Sequence, residues 1–435
     1  MTDSTRSVVV TGVGLATPLG VGREALVEGL AAGRSVFGPL EGTLGTVAPG
    51  RGALLDLPRK RFKEWINTRI LRLSTMTRQT TLGCIAASDA AASAGLPVDM
   101  VTRNPEDLEK HLDRGCFLGS FIVPPPFAKQ IKAARILARR PDGADTGWVL
   151  DDARLAEAMK MASGFDFLRA LPNMPSSHLS IQLAYQGPAC TMLGSDTSGM
   201  QAIVQAVGTI RSGQANVMVA GGAFCPFQEV HLAWQNHRGL YADARSSEAA
   251  PAPFAAGAAG TLPAEAGAVV VLESREHAEA RGATILAEVT GAAQRVLAPG
   301  EPDEIDVRAE TLSLAAPDGA VWLGPTALGQ AHLDGLEAAA YDQAFGDLSS
   351  AAAVAVSPTF GFSGPAHGPT QLIAALLAAK GELSPARAPV DAASGCDSLA
   401  GALGRTAATG PGTTAVASSF SIDGIHAAVG VRIEG

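Results

Sequence analysis

The sequence predicts a layered α/β protein in which one half repeats the other. Three observations carry this. Near-continuous apolar runs of strand length recur along the chain, Ala/Leu-rich helices alternate with them, and the order of these features in the first half returns in the second. Apolar runs without polar alternation suit strands that helices cover on both faces.

Taken in order, SVVVTGVG at 7–14 reads as the first strand and REALVEGLAAG as the first helix. A short apolar strand in AYQGPACTML then runs through glycine into the helix GMQAIVQAVGTIRSG, and NVMVAGG at 216–222 and GAVVVLE at 267–273 close the first half. The second half opens on ILAEVTG at 285–291, continues with AAAVAVS at 351–357 and the helix GPTQLIAALLAAKG, and ends on HAAVGVRI at 426–433. The repeat is one of pattern: VVVTG answers AEVTG, each half feeds a glycine-containing turn into a long apolar helix, and each closes on a terminal strand. It divides the chain into an N-terminal half, residues 1–275, and a C-terminal half, residues 276–435, joined near 275–285. Between about 100 and 175 the pattern is less regular, with PPPF and charged helices, and reads as an inserted cap or interface.

A chain of 435 residues, nearly half apolar and only 17% charged, can bury a large core and is compact rather than disordered. Its net charge of −9 argues against general nucleic-acid binding, which needs surplus Lys and Arg to displace counterions from phosphates. The N-terminus lacks the basic lead and long apolar stretch of a signal peptide, and no segment offers about eighteen uninterrupted apolar residues, so the expectation is a cytosolic, soluble protein without membrane contact. Cys84, Cys116, Cys190, Cys225 and Cys396 are scattered, with no CxxC, which indicates neither a disulfide framework nor a zinc site. No cofactor and no metal are expected.

VTGVGLATPLG invites comparison with a dinucleotide-binding turn. The spacing of Gly12, Gly14 and Gly20 does not fit, and a helix stands where the fingerprint needs a second strand ending in an acid. The segment RKRFKEWINTRILRLSTMTRQ, residues 59–79, is an isolated basic stretch in an acidic protein. It reads either as a solvated helix face with Arg and Lys stems covering apolar surface, or as a docking patch for an acidic partner through Arg59, Lys60, Arg61, Lys63, Arg69 and Arg72. Of the histidines, His332, His367 and His426 lie near glycines where they could reach a cleft, but structural roles are the commoner case. In LGSDTSGMQ, residues 193–201, Ser195, Asp196, Thr197 and Ser198 precede a helix, as N-cap residues do, and a carboxylate gains there from the helix dipole.

In order, VVVTGVGLATPLG, QGPACTMLGSDTSGMQAI, ANVMVAGGAF, AEAGAVVVLES, SGPAHGP and SSFSIDGIHAAVGVRI resemble the thiolase-fold β-ketoacyl synthases over essentially the whole chain. The resemblance implies a duplicated thiolase-like αβαβα five-layer sandwich and a dimer. Active members carry a nucleophilic cysteine at the start of the helix after GP, two histidines that stabilise an enolate, and a lysine. Counted from Gly187-Pro188 to Gly199, the cysteine's place falls on Asp196; counted back from Asp334 and Glu337, the first histidine's falls on Thr326. The second histidine's place falls on Pro365 and the lysine's on Phe360.

All four positions depart from the catalytic pattern. A carboxylate accepting an acyl group would form an anhydride, less stable than the thioester it came from, so Asp196 is a poor acyl carrier. Decarboxylation needs donors aimed at a developing enolate oxygen, and Pro365 offers none while an Asp196 anion repels the new charge. Cys190 and Cys225 sit at no predicted helix N-terminus, and His367, two residues beyond Pro365, would restore only one of the lost groups.

Family members without the nucleophile are the chain length factors, or KSβ subunits, of type II polyketide synthases. The resemblance therefore implies a noncatalytic subunit that pairs as a heterodimer with an active ketosynthase, shapes the acyl tunnel and receives acyl carrier protein. Those subunits typically carry glutamine where this chain has Asp196. The alternatives are a homodimeric acyltransferase or condensing enzyme with an atypical site using Asp196 or His367, and a scaffold that only stabilises its partner.

Overall fold

The computed structural model describes residues 6–46, 49–98, 111–123, 127–139, 149–161, 164–194, 196–243, 250–298, 303–386 and 391–435. Ser195 and the prolines of PPPF lie outside these residues. The sheet strands are β1 (Val8–Thr17), β2 (Arg114–Ser120), β3 (Ala189–Leu193), β4 (Val217–Phe224), β5 (Ala266–Ser274), β6 (Ala287–Val296), β7 (Trp322–Gly324), β8 (Ala352–Ala353), β9 (Thr414–Phe420) and β10 (Ile425–Ile433). They lie in the order β8-β7-β9-β10-β6-β1-β5-β4-β2-β3, with a short Gly20–Val21 strand added to β1.

Read outward from the middle, β1-β5-β4-β2-β3 and β6-β10-β9-β7-β8 are one arrangement used twice. β2 is parallel to β3 and β4 as β7 is parallel to β8 and β9, and the other neighbours within each half are antiparallel. The two half-sheets meet at the residue pairs Val9↔Glu288 and Val10↔Ala287. The helices that fix the layers are α1 (Arg23–Ala32), α2 (Arg78–Ser93), α3 (Ser198–Arg211), α4 (Glu229–His237), α5 (Glu304–Ala315), α6 (Ala331–Phe345) and α7 (His367–Lys380). α2 covers β1, β4 and β5 from outside, α5 covers β6 and β10, and α3 and α7 lie between the half-sheets, touching strands of both. Every residue from His367 to Ala379 is buried, which is why α7 is apolar almost all round.

The repeated Thr-Gly has one physical purpose in both halves. The register of β1 shifts between Val10 and Gly12 and that of β6 between Val289 and Gly291, so each Thr-Gly sits in a bulge. A Cβ at Gly12 would lie 2.5 Å from Ala90 O of α2, and one at Gly291 2.2 Å from Leu314 O of α5. The glycine-rich turn weighed for nucleotide binding is thus a seam where a helix backbone presses on a strand.

Two expected elements differ. AAAVAVS forms a strand only at Ala352–Ala353, and Ser357–Phe360 is a helical turn with a proline in its first positions, a residue suited to starting a helix and unable to extend a central ladder. The basic segment is not a helix face: Arg59–Glu64 and Leu73–Thr75 are 3-10 turns, and α2 begins only at Arg78. Its buried residues Phe62, Ile66, Leu71 and Met76 do not keep a helical period, so no single helical stripe could cover them.

Candidate functional site

Three glycines bring the corner together. A Cβ at Gly119 of β2 would meet the amide nitrogen of Gly199 at 2.1 Å, and Cβ atoms at Gly199 and at Gly222 of β4 would meet the carbonyl oxygen of Pro365 at 1.8 and 2.0 Å. Backbones of β2, β4, the start of α3 and the 3-10 turn Gly364–Ala366 therefore touch without intervening side chains. Asp196 stands just before α3, and Pro365 just before α7.

Asp196 is 3% exposed as a whole residue. It does not cap α3 as the sequence suggests: Oδ1 accepts from Gln235 Nε2 at 3.2 Å and Oδ2 from Arg238 Nη1 at 3.1 Å. Burial pushes its pKa up, against the opposing pull of Arg238 and Gln235. Arg238 follows the last turn of α4, where a cation complements the helix dipole. Its Nη1 also donates to Gln235 Oε1 at 2.7 Å, its Nη2 donates to Asp423 Oδ2 at 2.7 Å, and its guanidinium lies 4.5 Å from the centre of the Trp234 ring. Burial, and then the Asp196 carboxylate, hold the nearby Tyr241 phenol well above its ordinary range.

Thr326 follows β7 and enters the same neighbourhood through His367. His367 Nε2 lies 2.7 Å from Thr326 O, and since a carbonyl only accepts, that nitrogen carries the proton. Burial pushes His367 down to about 4, so the ring is neutral, and its Nδ1 is buried without a partner. The Thr326 amide donates to Glu337 Oε1 at 2.7 Å, and its hydroxyl oxygen accepts from the Phe420 amide at 3.0 Å. Phe360 is fully buried in the central core with Leu372 and Leu376. The corner thus presents a paired carboxylate, a proline carbonyl and a threonine held by its neighbours.

The other sequence candidates are elsewhere. Cys190 is exposed on the edge strand β3 rather than buried, whereas burial pushes the Cys225 thiol above its ordinary range. His332 is exposed on α6, and His426 is buried and pushed down to about 3 by burial and then by Arg308. Arg59, Lys60, Arg61, Lys63, Arg69 and Arg72 are all exposed. Arg59 lines a cleft of about 490 Å³ with Phe62, Phe165 and Arg169, and Lys63 and Arg69 line one of about 680 Å³ with Trp65. Among the described residues no group of three or more His, Cys, Asp or Glu side chains gathers to hold a metal, and no helix is long and apolar enough to cross a membrane. Gln235, Arg238 and Asp423 went unnoticed in the sequence. The one available signal was general: a carboxylate placed in an apolar interior requires a cation from somewhere in the chain.

The fold is that of the thiolase-like ketosynthases. It superposes with a TM-score of 0.77 on an ishigamide ketosynthase/chain length factor, at 22% identity over 99% of this chain and 100% of that one. A type II polyketide synthase ketosynthase, solved in complex with its acyl-carrier protein, gives 0.76 at 20% identity, covering 99% and 100%. The chain belongs to the β-ketoacyl synthase family, whose N-terminal domain it matches over residues 5–278. It is 32% identical over 287 residues to nodulation protein E of Rhizobium meliloti (strain 1021), covering 66% of this chain and 62% of that protein. It is 30% identical to nodulation protein E of Rhizobium leguminosarum bv. trifolii, covering 79% and 78%, and 29% identical to the actinorhodin polyketide putative beta-ketoacyl synthase 1 of Streptomyces coelicolor, covering 86% and 77%. The chain therefore spans less than two thirds of the Rhizobium meliloti protein it resembles.

Proposed function

We propose that this chain is a noncatalytic ketosynthase-like subunit, which pairs with an active ketosynthase and helps shape the chamber for the growing acyl chain. The observation that carries this is the buried ion pair of Asp196 and Arg238 at the nucleophile's place. Each carboxylate oxygen already accepts a hydrogen bond, which directs the group towards Gln235 and Arg238 and lowers its nucleophilicity towards a thioester. That weakens the rival reading of Asp196 as a general base.

Pairing is supported by the edge of the sheet. β3 is its last strand, bonded on one side to β2, and Ala189 and Cys190 are exposed on it. Such an edge is a template for another chain's strand. Ile122, Phe165, Phe167, Leu171 and Ile181, from segments flanking β2 and β3, are also exposed, as suits a surface that a partner covers. The neighbour solved as a ketosynthase/chain length factor is consistent with a ketosynthase partner, and the neighbour solved with a carrier protein with docking of an acidic carrier on the basic segment.

Co-expression with a ketosynthase that retains its cysteine and histidines tests the proposal. A stable heterodimer whose elongation of malonyl-carrier protein, taken per folded heterodimer because the change strands the Arg238 cation, survives Asp196→Ala is the expected result. A homodimer that itself decarboxylates malonyl-carrier protein, and loses that activity with Asp196→Ala, would establish the rival. Asp196→Cys alone is expected to restore no condensation, since the enolate donors stay absent.

A further inference from the structure

Two of the four departed positions hold the same piece of chain. Thr326 Oγ1 accepts from the amide of Phe420, where β9 ends, and Asp196 reaches Asp423, in the turn before β10, through Arg238. Inside that turn Ser421 Oγ donates to Asp423 Oδ2 at 3.1 Å and accepts from the Asp423 amide at 3.1 Å, so the aspartate is oriented before Arg238 meets it. On the other side the Leu297 amide donates to Gly424 O at 2.8 Å.

We propose that Asp196, Arg238 and Asp423 form a latch that fastens the β9–β10 turn to the corner where α3 begins, with Arg238 as its positioning residue. The guanidinium suits this because its two terminal nitrogens point to different partners: Nη1 to Asp196 and Gln235, Nη2 to Asp423. A lysine is a point charge and cannot span both carboxylates in a fixed plane. The arms are unequal. The Asp196 side chain is 4% exposed and that of Asp423 40%, so the inner bond is desolvated and the outer one open to water and salt. The turn opens by losing the outer bond while Arg238 stays seated on Asp196.

The latch also gives a reason for a carboxylate at position 196 where the resemblance leads one to expect an amide. An amide could hydrogen-bond Gln235 and Arg238, but it would leave the charge of a nearly buried guanidinium without its inner counter-ion. The lost nucleophile site has become an anchor, and Thr326 anchors the other end of the same turn.

Hydrogen exchange of the whole chain, followed peptide by peptide, tests this without any partner, so its outcome is independent of the heterodimer reading. In Asp423→Asn, and in Arg238→Lys, peptides covering 420–425 are expected to exchange on the order of tenfold faster, while peptides of α2 keep their wild-type rates. Molar salt is expected to accelerate the same peptides of the wild-type chain, because the outer arm is solvent-reachable. Unchanged exchange at 420–425 in Asp423→Asn overturns the proposal, as does equal acceleration throughout α2 and β1. Should Arg238→Lys fail to fold, Asp423→Asn carries the test, since it changes a partly exposed side chain and leaves Asp196 with its cation.

Discussion

The corner at Asp196 and the described segments between residues 112 and 181 treat their side chains in opposite ways. In the corner, glycine backbones touch, a buried anion meets a buried cation, and that cation stacks on Trp234. Those segments carry most of the large exposed apolar side chains of the described residues, including Leu150, Met159 and Phe167, although they bury Asp166 between Lys129 and Arg169. The Asp196 carboxylate finds its partners within the chain, and the exposed apolar side chains do not. On the proposed reading, the corner that an active condensing enzyme keeps open for substrate is closed, and the surface offered to a partner lies beside β3, at the edge of the sheet.

The sharpest way to break this contrast is to open the corner. Arg238→Ala leaves Asp196 buried without its cation and removes the stack on Trp234, so it is expected to cost about 3–5 kcal/mol in urea unfolding. Acid opens it next. His367 takes its proton near 4 in the folded chain and near 6.5 when unfolded, so on acidification the unfolded state binds that proton first. The stability this neutral ring supplies is complete above pH 6.5 and is lost as pH falls towards 4, on the order of 3 kcal/mol. His367→Gln keeps a donor for Thr326 O and cannot titrate. It is expected to narrow the loss of melting temperature between pH 7 and pH 5, which differential scanning fluorimetry would measure.

The layering was legible because it depends on patterns that strands and helices cannot avoid. β1, β4, β5 and β10 are apolar because both of their faces are covered, and the Thr-Gly pairs recur because each half needs one bulge against one helix. That Asp196 stands just before a helix was legible too, from the Ser, Thr and Gly residues around it. What joins Asp196 to Arg238 was not. The two are 42 residues apart, and nothing local marks Arg238 as different from the exposed arginines of residues 59–72. The basic segment misled as a helix for a related reason: its apolar residues are set by the surface they cover, not by a period of their own. AAAVAVS has a strand's composition but pairs with β7 through only two of its residues before Pro358 turns the chain.

Changes to those exposed side chains test the other side of the contrast and should leave the chain itself intact. Phe167→Glu and Ile181→Glu replace exposed side chains, so folding stability is expected to stay within about 0.5 kcal/mol. Association with a ketosynthase should weaken at least about tenfold by calorimetry, because a charge would then have to be buried without a partner. If both variants still bind normally, these positions lie outside the interface and the pairing surface must be sought elsewhere. The smallest effect belongs to the basic segment. Arg69 and Arg72 are exposed with no pairing partner among the described salt bridges, so an acidic carrier would feel them through screened, long-range attraction rather than through desolvated contacts. Arg69→Glu with Arg72→Glu is therefore expected to slow carrier association several-fold at low salt while leaving the dissociation rate nearly unchanged, and 0.5 M salt should erase most of the difference. Stopped-flow binding at two ionic strengths separates the cases: a change that appears in the dissociation rate and persists in salt would mean that these arginines make short-range contacts, and that the segment is part of a packed interface like the one proposed beside β3.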